Sequence, residues 1–523
     1  MARANYHQIS KYARHFFSGT LLSRVSGMVR DIGMAAMFGD HPSVAAFMVA
    51  FRFSHFLRRI LGEGALQSIF IPHYEELRIK DEKKANAFFF RLYMLLITLL
   101  VAIVVIVEGV AFTAGRSEVT HLFSWMFPSL IFICLYGLNL SLLQCRNSFF
   151  SSSIAPFACN AIWILAIFLF AKQDTPHAMV NLAIFTIIGF VVQWAITLPK
   201  TWKVLQEGRQ HVEGPLLSVP TEIRTIGKAT LFGLIGVTAV QINSFLDMVF
   251  ARWADLKGPV YLWYAIRLEQ LPLALVGFAC VYSIVPSLSR LIKAGESEKT
   301  KELFLFGYKR IFLLVMPCTF ALFALSFVSV NLLFGRGNFS QFAVTETTLC
   351  LWAYGLSLLP STLTVYLSSL FYAYGNFRIP TYASIISVGA NVIFNALFVF
   401  VFHWGAISIA LSTSLSALIN CWILKSAFSR QGHLDVQYPK ISSFLKLSAV
   451  GICACLGCIA YDKLFFSAFF FEHDLFMAPR SLSGQCLHFL GQLASFCVIF
   501  VAGLLLVQKE MVFTLKSLVF AKE

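Results

Sequence analysis

Two neighbouring stretches, SGTLLSRVSGMVRDIGMAAMFG at 18–39 and SVAAFMVAFRFSHFLRRILGEGALQSIFI at 43–71, are each long and apolar enough to cross a bilayer. Between them they carry Arg24, Arg30, Arg52, Arg58 and Arg59, and Arg267 lies in a third such stretch far along the chain. An arginine at the centre of a membrane helix costs roughly 2.5–3.5 kcal/mol on insertion scales, so it persists only against a partner or in a water-filled cavity. The pattern points to an intramembrane site for an anion.

Working outward, the remaining sequence is of the same kind. The 523 residues are 58% hydrophobic and 13% charged, against about 25% charged in an ordinary soluble domain, and the mean hydropathy is +0.74. The 54 phenylalanines, 9 tryptophans and 16 tyrosines suit lipid-facing helices with aromatic ends. This is an all-α polytopic membrane protein. Spans need about 20 largely apolar residues, and fourteen are expected: 18–39, 43–71, 86–114, 122–145, 153–171, 178–198, 226–251, 259–288, 307–333, 342–373, 379–402, 405–427, 443–466 and 486–508. Met1 to Phe17 is basic and leads into no signal-peptide core or cleavage site, so the first helix is expected to be retained.

Short cytoplasmic loops carry the Lys and Arg excess. One set of connections, which includes both termini, holds 27 of these residues and the opposite set holds 7, so both termini are expected in the cytoplasm. The same asymmetry accounts for the formal charge of +15. The basic residues are spread over many short loops instead of one patch, which excludes a nucleic-acid partner. The 12 cysteines sit in apolar runs and behave as small hydrophobes. Cys453, Cys455 and Cys458 lie mid-helix without a His or second Cys pair, so no metal site is read there.

The longest cytoplasmic connection follows six helices, and a weak internal repeat straddles it. Ala50-Phe51-Arg52 is followed by Pro72, as Ala265-Ile266-Arg267 is by Pro286; Asn160 and Asn391 recur in a second echo. The expected organisation is an N-lobe at 1–203, a cytoplasmic linker at 204–225, a C-lobe at 226–429, and two appended helices with a tail at 430–523. The lobes are then pseudo-symmetric bundles of six helices.

Within this frame the charges have a geometry. Arg24 and Asp31, seven residues apart, fall within about 20° on one helix face, and Arg52, Arg59 and Glu63 within about 40°. Arg59 and Glu63 have ion-pair spacing, while Arg58 turns away by roughly 100°. Six arginines against Asp31 and Glu63 leave an excess of four positive charges. Planar guanidinium forks hold phosphate bidentately. Gly62-Glu63-Gly64 is expected to break the second helix. Among the sparser polar residues, Asp247 could pair with a cation, assisted by Asn243, Asn391 and Asn395, or be a neutral hydrogen-bonded acid. Glu269 reads as a counter-charge to Arg267, and Glu108 as interfacial.

The motifs 23–31, 49–52 and 57–66, with Gln241-Ile242-Asn243 to Asp247, Tyr264-Ala265-Ile266-Arg267-Leu268 and Pro286-Ser287-Leu288-Ser289-Arg290, resemble the MurJ (MviN) lipid II flippases. The resemblance covers nearly the whole chain and weakens in the last two helices. It implies a transporter of the multidrug/oligosaccharidyl-lipid/polysaccharide exporter superfamily, with two lobes around a cationic cavity lined by Arg24, Arg30, Arg52 and Arg267. The implied substrate is lipid II, and the implied location is the bacterial cytoplasmic membrane. The family often has an acid just before Arg267 and another early in the second helix; Ile266 and Ala45 stand there instead. Some members hold sodium between helices seven, eleven and twelve, where Asp247, Asn391 and Thr413 correspond and Asn395 replaces a carboxylate.

No cofactor is expected beyond sodium or membrane-potential coupling. Lipid II, membrane lipids and the cell-wall synthesis machinery are the expected partners of a monomer. The alternatives are an exporter of another polyprenyl-linked saccharide or of drugs, a membrane-embedded polyprenyl-phosphate transferase, and a non-transporting scaffold. A cationic-drug exporter calls for acids in the cavity, and the transferase for clustered Asp to hold Mg²⁺. Neither pattern is present in the spans.

Overall fold

In a computed structural model, the described residues are 21–61, 65–113, 115, 117–212, 228–431, 441–465, 471–472, 475–476 and 479–507. Among them the fold is helical apart from two paired two-residue strands, β1 (Phe471–Glu472) and β2 (Leu475–Phe476). Ten helices are long and apolar enough to cross a membrane, or eleven if one bent pair is a single span. Fourteen were expected. Three helices within expected spans fall outside that test, 21–38, Pro42–Leu61 and Lys228–Ala254, the segments that hold Arg24, Arg30, Arg52, Arg58 and Asp247. Several of these helices are little covered by protein, and only 11% of the most apolar window of Glu82–Thr113 is buried. Such a surface needs hydrocarbon around it.

The chain divides into two compact units, Met1–Phe245 and Leu246–Glu523. In the first, α1 (21–38) and α2 (Pro42–Leu61) are followed by α3 (Ala65–Lys80) and the long α4 (Glu82–Thr113). Gly62, Glu63 and Gly64, with the side chain of Arg59, lie outside the described residues. A bent pair comes next, α5 (Glu118–Met126) and α6 (Ser129–Cys145), turning 41° at Phe127-Pro128. Then come α7 (Phe149–Phe170), α8 (Thr175–Ala195) and α9 (Leu198–Gln210). Small residues let neighbouring helices approach: Gly33 of α1 meets Ile167 of α7, and Gly189 of α8 lies against Cys159.

The expected linker begins inside α9. This helix buries Thr201, Val204, Leu205 and Gly208, the i, i+3, i+4, i+7 stripe of an amphipathic helix, and leaves Trp202 exposed. It lies on α4. Asn86 of α4 donates to Glu207 Oε2 at 2.9 Å and accepts from the buried Tyr74 of α3 at 3.0 Å, while Arg146 reaches Asn86 Oδ1 and Glu82 Oε1 at 3.1 and 3.0 Å. These bonds fasten one end of four helices together.

The second unit contains the end of α10 (Lys228–Ala254), α11 (Gly258–Pro272), α12 (Ala279–Ala294) and α13 (Ser297–Phe334). A π-helical turn, Leu273–Phe278, joins α11 to α12. Pro272 supplies no backbone N–H, which frees the preceding turn from its usual hydrogen-bond register. Next are α14 (Gln341–Gly355) and α15 (Leu358–Ala373), then α16 (Arg378–Ala396), α17 (Ile407–Arg430), α18 (Ile441–Phe465) and α19 (Leu482–Val507). The order of the first unit recurs here. A long helix precedes a broken pair, and two helices packed on each other follow, α7 with α8 and α16 with α17. One core joins α12, α13, α15 and α17 around Phe304, Tyr366 and Phe428, with Tyr366 donating to the Phe304 carbonyl at 3.0 Å. A second core seats α18 and α19 on α13 through Val450, Ala454, Phe496 and Phe500.

The seating of α9 on α4 depends on Gly208, where an added Cβ would stand 2.2 Å from the Asn86 carbonyl oxygen. Overpacking of this kind costs about 1–3 kcal/mol. Gly208→Ala is therefore expected to lower thermal stability in detergent, whereas Gly109→Ala, with nothing within 4 Å of the new methyl, should leave it unchanged.

Candidate functional site

The residues expected to line an anion site fall in both units. In the first, Arg24 is exposed and Arg30 is buried, six residues later on α1. Arg30 Nε and Nη2 donate to Asp31 Oδ1 at 3.0 and 2.8 Å, and Nη1 donates to Asn160 Oδ1 of α7 at 3.0 Å. The guanidinium carbon lies 4.4 Å from the Trp163 ring centroid, a cation–π contact worth about 2 kcal/mol when desolvated. Asn160 Nδ2 in turn donates to the Ser23 carbonyl at 3.1 Å and to Ser26 Oγ at 3.0 Å. Trp163 also packs edge-on against Phe47 and Phe51 of α2, with centroids 5.6 and 4.9 Å apart. One cluster thus joins α1, α2 and α7.

The second helix adds further charge beside this cluster. Arg52 and Arg58 are half-buried, and His55 lies between them. Its ring stacks on Phe51 at 3.8 Å, Nδ1 bonds the Phe51 carbonyl at 2.8 Å, and Nε2 is buried without a hydrogen-bond partner among the described residues. Arg58, Arg52 and Arg30 all lie within electrostatic reach of that imidazole. Guanidiniums from α1 and α2 therefore converge on one region of the first unit. Sequence reasoning passed over His55 and Trp163; both look like ordinary core aromatics, and only their neighbours distinguish them.

In the second unit Arg267, half-buried on α11, lies over the Trp263 ring at 4.8 Å one turn earlier. Glu269 is buried. Two residues of helix separate the pair by about 200°, so Glu269 turns to another side of α11. The polar residues expected as a cation site do come together. Asp247 of α10 accepts from Asn395 Nδ2 at 2.9 Å through Oδ1 and from Thr413 Oγ1 at 3.2 Å through Oδ2. Asn395 Nδ2 also donates to Asn391 Oδ1 at 2.8 Å, one turn earlier on α16, and Asn391 Nδ2 to Thr413 Oγ1 of α17 at 3.5 Å. Asp247, Asn391 and Asn395 are buried.

The donor set is chemically specific. Every side chain offers oxygen, and Asp247 supplies the one carboxylate, which suits a hard cation of single charge. In the present arrangement the Asn395 amide nitrogen faces both acceptors, and rotating the carboxamide would turn its oxygen toward them. Among the described residues no three His, Cys, Asp or Glu side chains are grouped to hold a metal. Cys455 and Cys458 instead direct their thiols to the carbonyls of Phe320 and Gln492.

Comparison with known proteins agrees with this architecture. The family model described as Lipid II flippase MurJ matches residues 34–478. The probable lipid II flippase MurJ of Chlamydia trachomatis is 33% identical over 393 residues, 73% of this chain and 72% of the relative. That of Chlamydia pneumoniae is 31% identical over 84% of this chain and 81% of its own length. Among solved structures, a lipid II flippase MurJ in an inward closed conformation shares the fold, with a TM-score of 0.72 at 22% identity, covering 92% of this chain and 97% of that one. An inward-facing multidrug resistance MATE family transporter of the MOP superfamily matches with a TM-score of 0.63 at 14% identity, covering 80% and 99%. By the family model and these relatives, the chain belongs to the lipid II flippase MurJ family.

Proposed function

We propose that this chain moves lipid II, the undecaprenyl-diphosphate-linked peptidoglycan precursor, from the inner to the outer leaflet of the bacterial cytoplasmic membrane. The working form is a monomer of fourteen spans with both termini in the cytoplasm. The observation that supports this reading is that helices of both units hold Arg24, Arg52 and Arg267, and a polyprenyl diphosphate is a fitting guest for guanidinium groups. A diphosphate and its sugar-peptide head would forfeit their hydration in hydrocarbon. An arginine-lined cavity replaces that water while the polyprenyl tail stays in lipid. Alternating access follows if one lobe rocks against the other. Arg59 and Glu63, next in the same motif, belong to the proposed lining.

A sodium ion held by Asp247, Asn391, Asn395 and Thr413 would supply a fixed positive charge joining α10, α16 and α17. Inward movement of a cation is favoured by about 2.3 kcal/mol per charge per 100 mV, enough to reset the carrier after each outward passage. The single carboxylate of this cluster makes it a weaker ion trap than a pair of acids.

Growth of bacteria depleted of their own flippase tests the anion site. Wild-type chain is expected to restore growth, and Arg24→Ala, Arg52→Ala and Arg267→Ala each to lose it while accumulating normally in the membrane; equal rescue by all three would remove the cavity from the mechanism. Arg30→Ala should act differently, because it removes the guanidinium that bonds the buried Asp31 carboxylate, Asn160 and the Trp163 ring. A loss of about 3 kcal/mol should show as reduced protein and a lower melting temperature. For the cation, flipping in vesicles is expected to rise with sodium in the wild type and to become indifferent to it in Asp247→Asn. Identical sodium curves would exclude this cluster as the coupling site.

A further inference from the structure

The buried face of α19 is made of Gln485, His488, Gln492, Phe496, Phe500 and Leu504. Its last three residues pack in the apolar core on α13 and α18; its first three are polar, although they are covered just as completely, with relative exposures of 1%, 1% and 2%. They are spaced three and four residues apart, so they form one file along the seam. Facing them, Asp462 of α18 receives His488 Nε2 on Oδ1 at 2.9 Å and Gln492 Nε2 on its other oxygen. Gln485 Nε2 donates to the Gly335 carbonyl at 3.1 Å and lies 3.4 Å from Asn331 Oδ1 of α13.

Plain helix packing does not call for this arrangement. Leucines at these positions would fill the seam without burying polar groups, and two amide oxygens, Gln485 Oε1 and Gln492 Oε1, are buried with no hydrogen-bond partner among the described residues. Both flank the imidazole, one turn before it and one turn after, where a water or a donated proton could be accepted. We propose that His488 and Asp462 form a proton-binding site between α18 and α19, served by Gln485 and Gln492, whose occupancy governs how firmly α19 is held to α18. The proton enters on the imidazole nitrogen; the carboxylate beside it supplies the balancing charge, so the protonated pair stays neutral overall. Release of the proton leaves Asp462 as an uncompensated charge in the seam, which favours opening toward water.

Among the described residues, the surroundings leave this pair as the controlling charges. From α18 the neighbours are Tyr461, Cys458, whose thiol points to the Gln492 carbonyl, and Lys463, which is exposed. The charged residues of α13 all precede Ile311, far from Asn331 along the helix. Arg336, just past α13, donates back to the Leu332 carbonyl, Arg480 before α19 is exposed, and α19 itself adds Cys486 and Cys497.

The test uses the full chain in lipid nanodiscs with isotope-labelled histidine, His488→Gln identifying the signal. In the wild type the His488 ring signal is expected to change in one step as the pH is varied. The separation of spin labels at the exposed Leu464 and Leu487 should change with that same step. Asp462→Asn keeps the shape and hydrogen-bonding capacity of the carboxylate without its charge. It should displace the step by at least one pH unit and flatten the distance change. A signal constant from about pH 4 to 9, a step unmoved by Asp462→Asn, or an unchanging separation would each overturn the proposal.

Discussion

A guanidinium group cannot remain alone in hydrocarbon, and the organisation of this protein follows from the ways in which that constraint is met. Arg30 meets it inside its own lobe: a carboxylate, a carboxamide and an indole face surround it, drawn from α1 and α7. Such a set makes up for the desolvation of the charge, and it also fixes the angle at which α1 enters the bundle, because Asn160 grips the Ser23 carbonyl and Ser26 at the same time. Arg267 relies on Trp263 below it. Arg24, by contrast, is exposed.

Much of the architecture was readable because membrane helices are written in runs of about 20 apolar residues. Where the reading fell short, the missing information was not local. The bend at Phe127-Pro128 breaks one apolar run that composition alone reads as continuous. The helix α9 was absorbed into a polar connection because its apolar stripe is only four residues deep, and its stability comes from docking on α4 through Gly208 and Glu207. The π-helical turn after Pro272 could be suspected from the proline but not located.

The candidate site shows the same division. Arginine in an apolar run is conspicuous wherever its partners are, so the charged residues could be named from sequence. Which of them are occupied could not, because the Asn160 that engages Arg30 lies 130 residues away and looks like any polar residue of a membrane helix. Asp247, Asn391, Asn395 and Thr413 could be grouped from sequence and resemblance, and the packing of α10, α16 and α17 brings their side chains into one hydrogen-bonded, oxygen-rich cluster.

The contrast between Arg24 and Arg30 carries the argument furthest. Six residues of helix place them about 120° apart, so one faces α7 while the other faces away from that seam. Asp31 sits within about 20° of Arg24 by helix geometry, yet its carboxylate is bonded to Arg30. The acid that could have neutralised the exposed arginine is thereby engaged by the buried one. Asp31 bonds the buried Arg30 while Arg24 stands exposed on another side of the same helix, and an exposed guanidinium is the kind of group that a diphosphate can engage through two parallel hydrogen bonds.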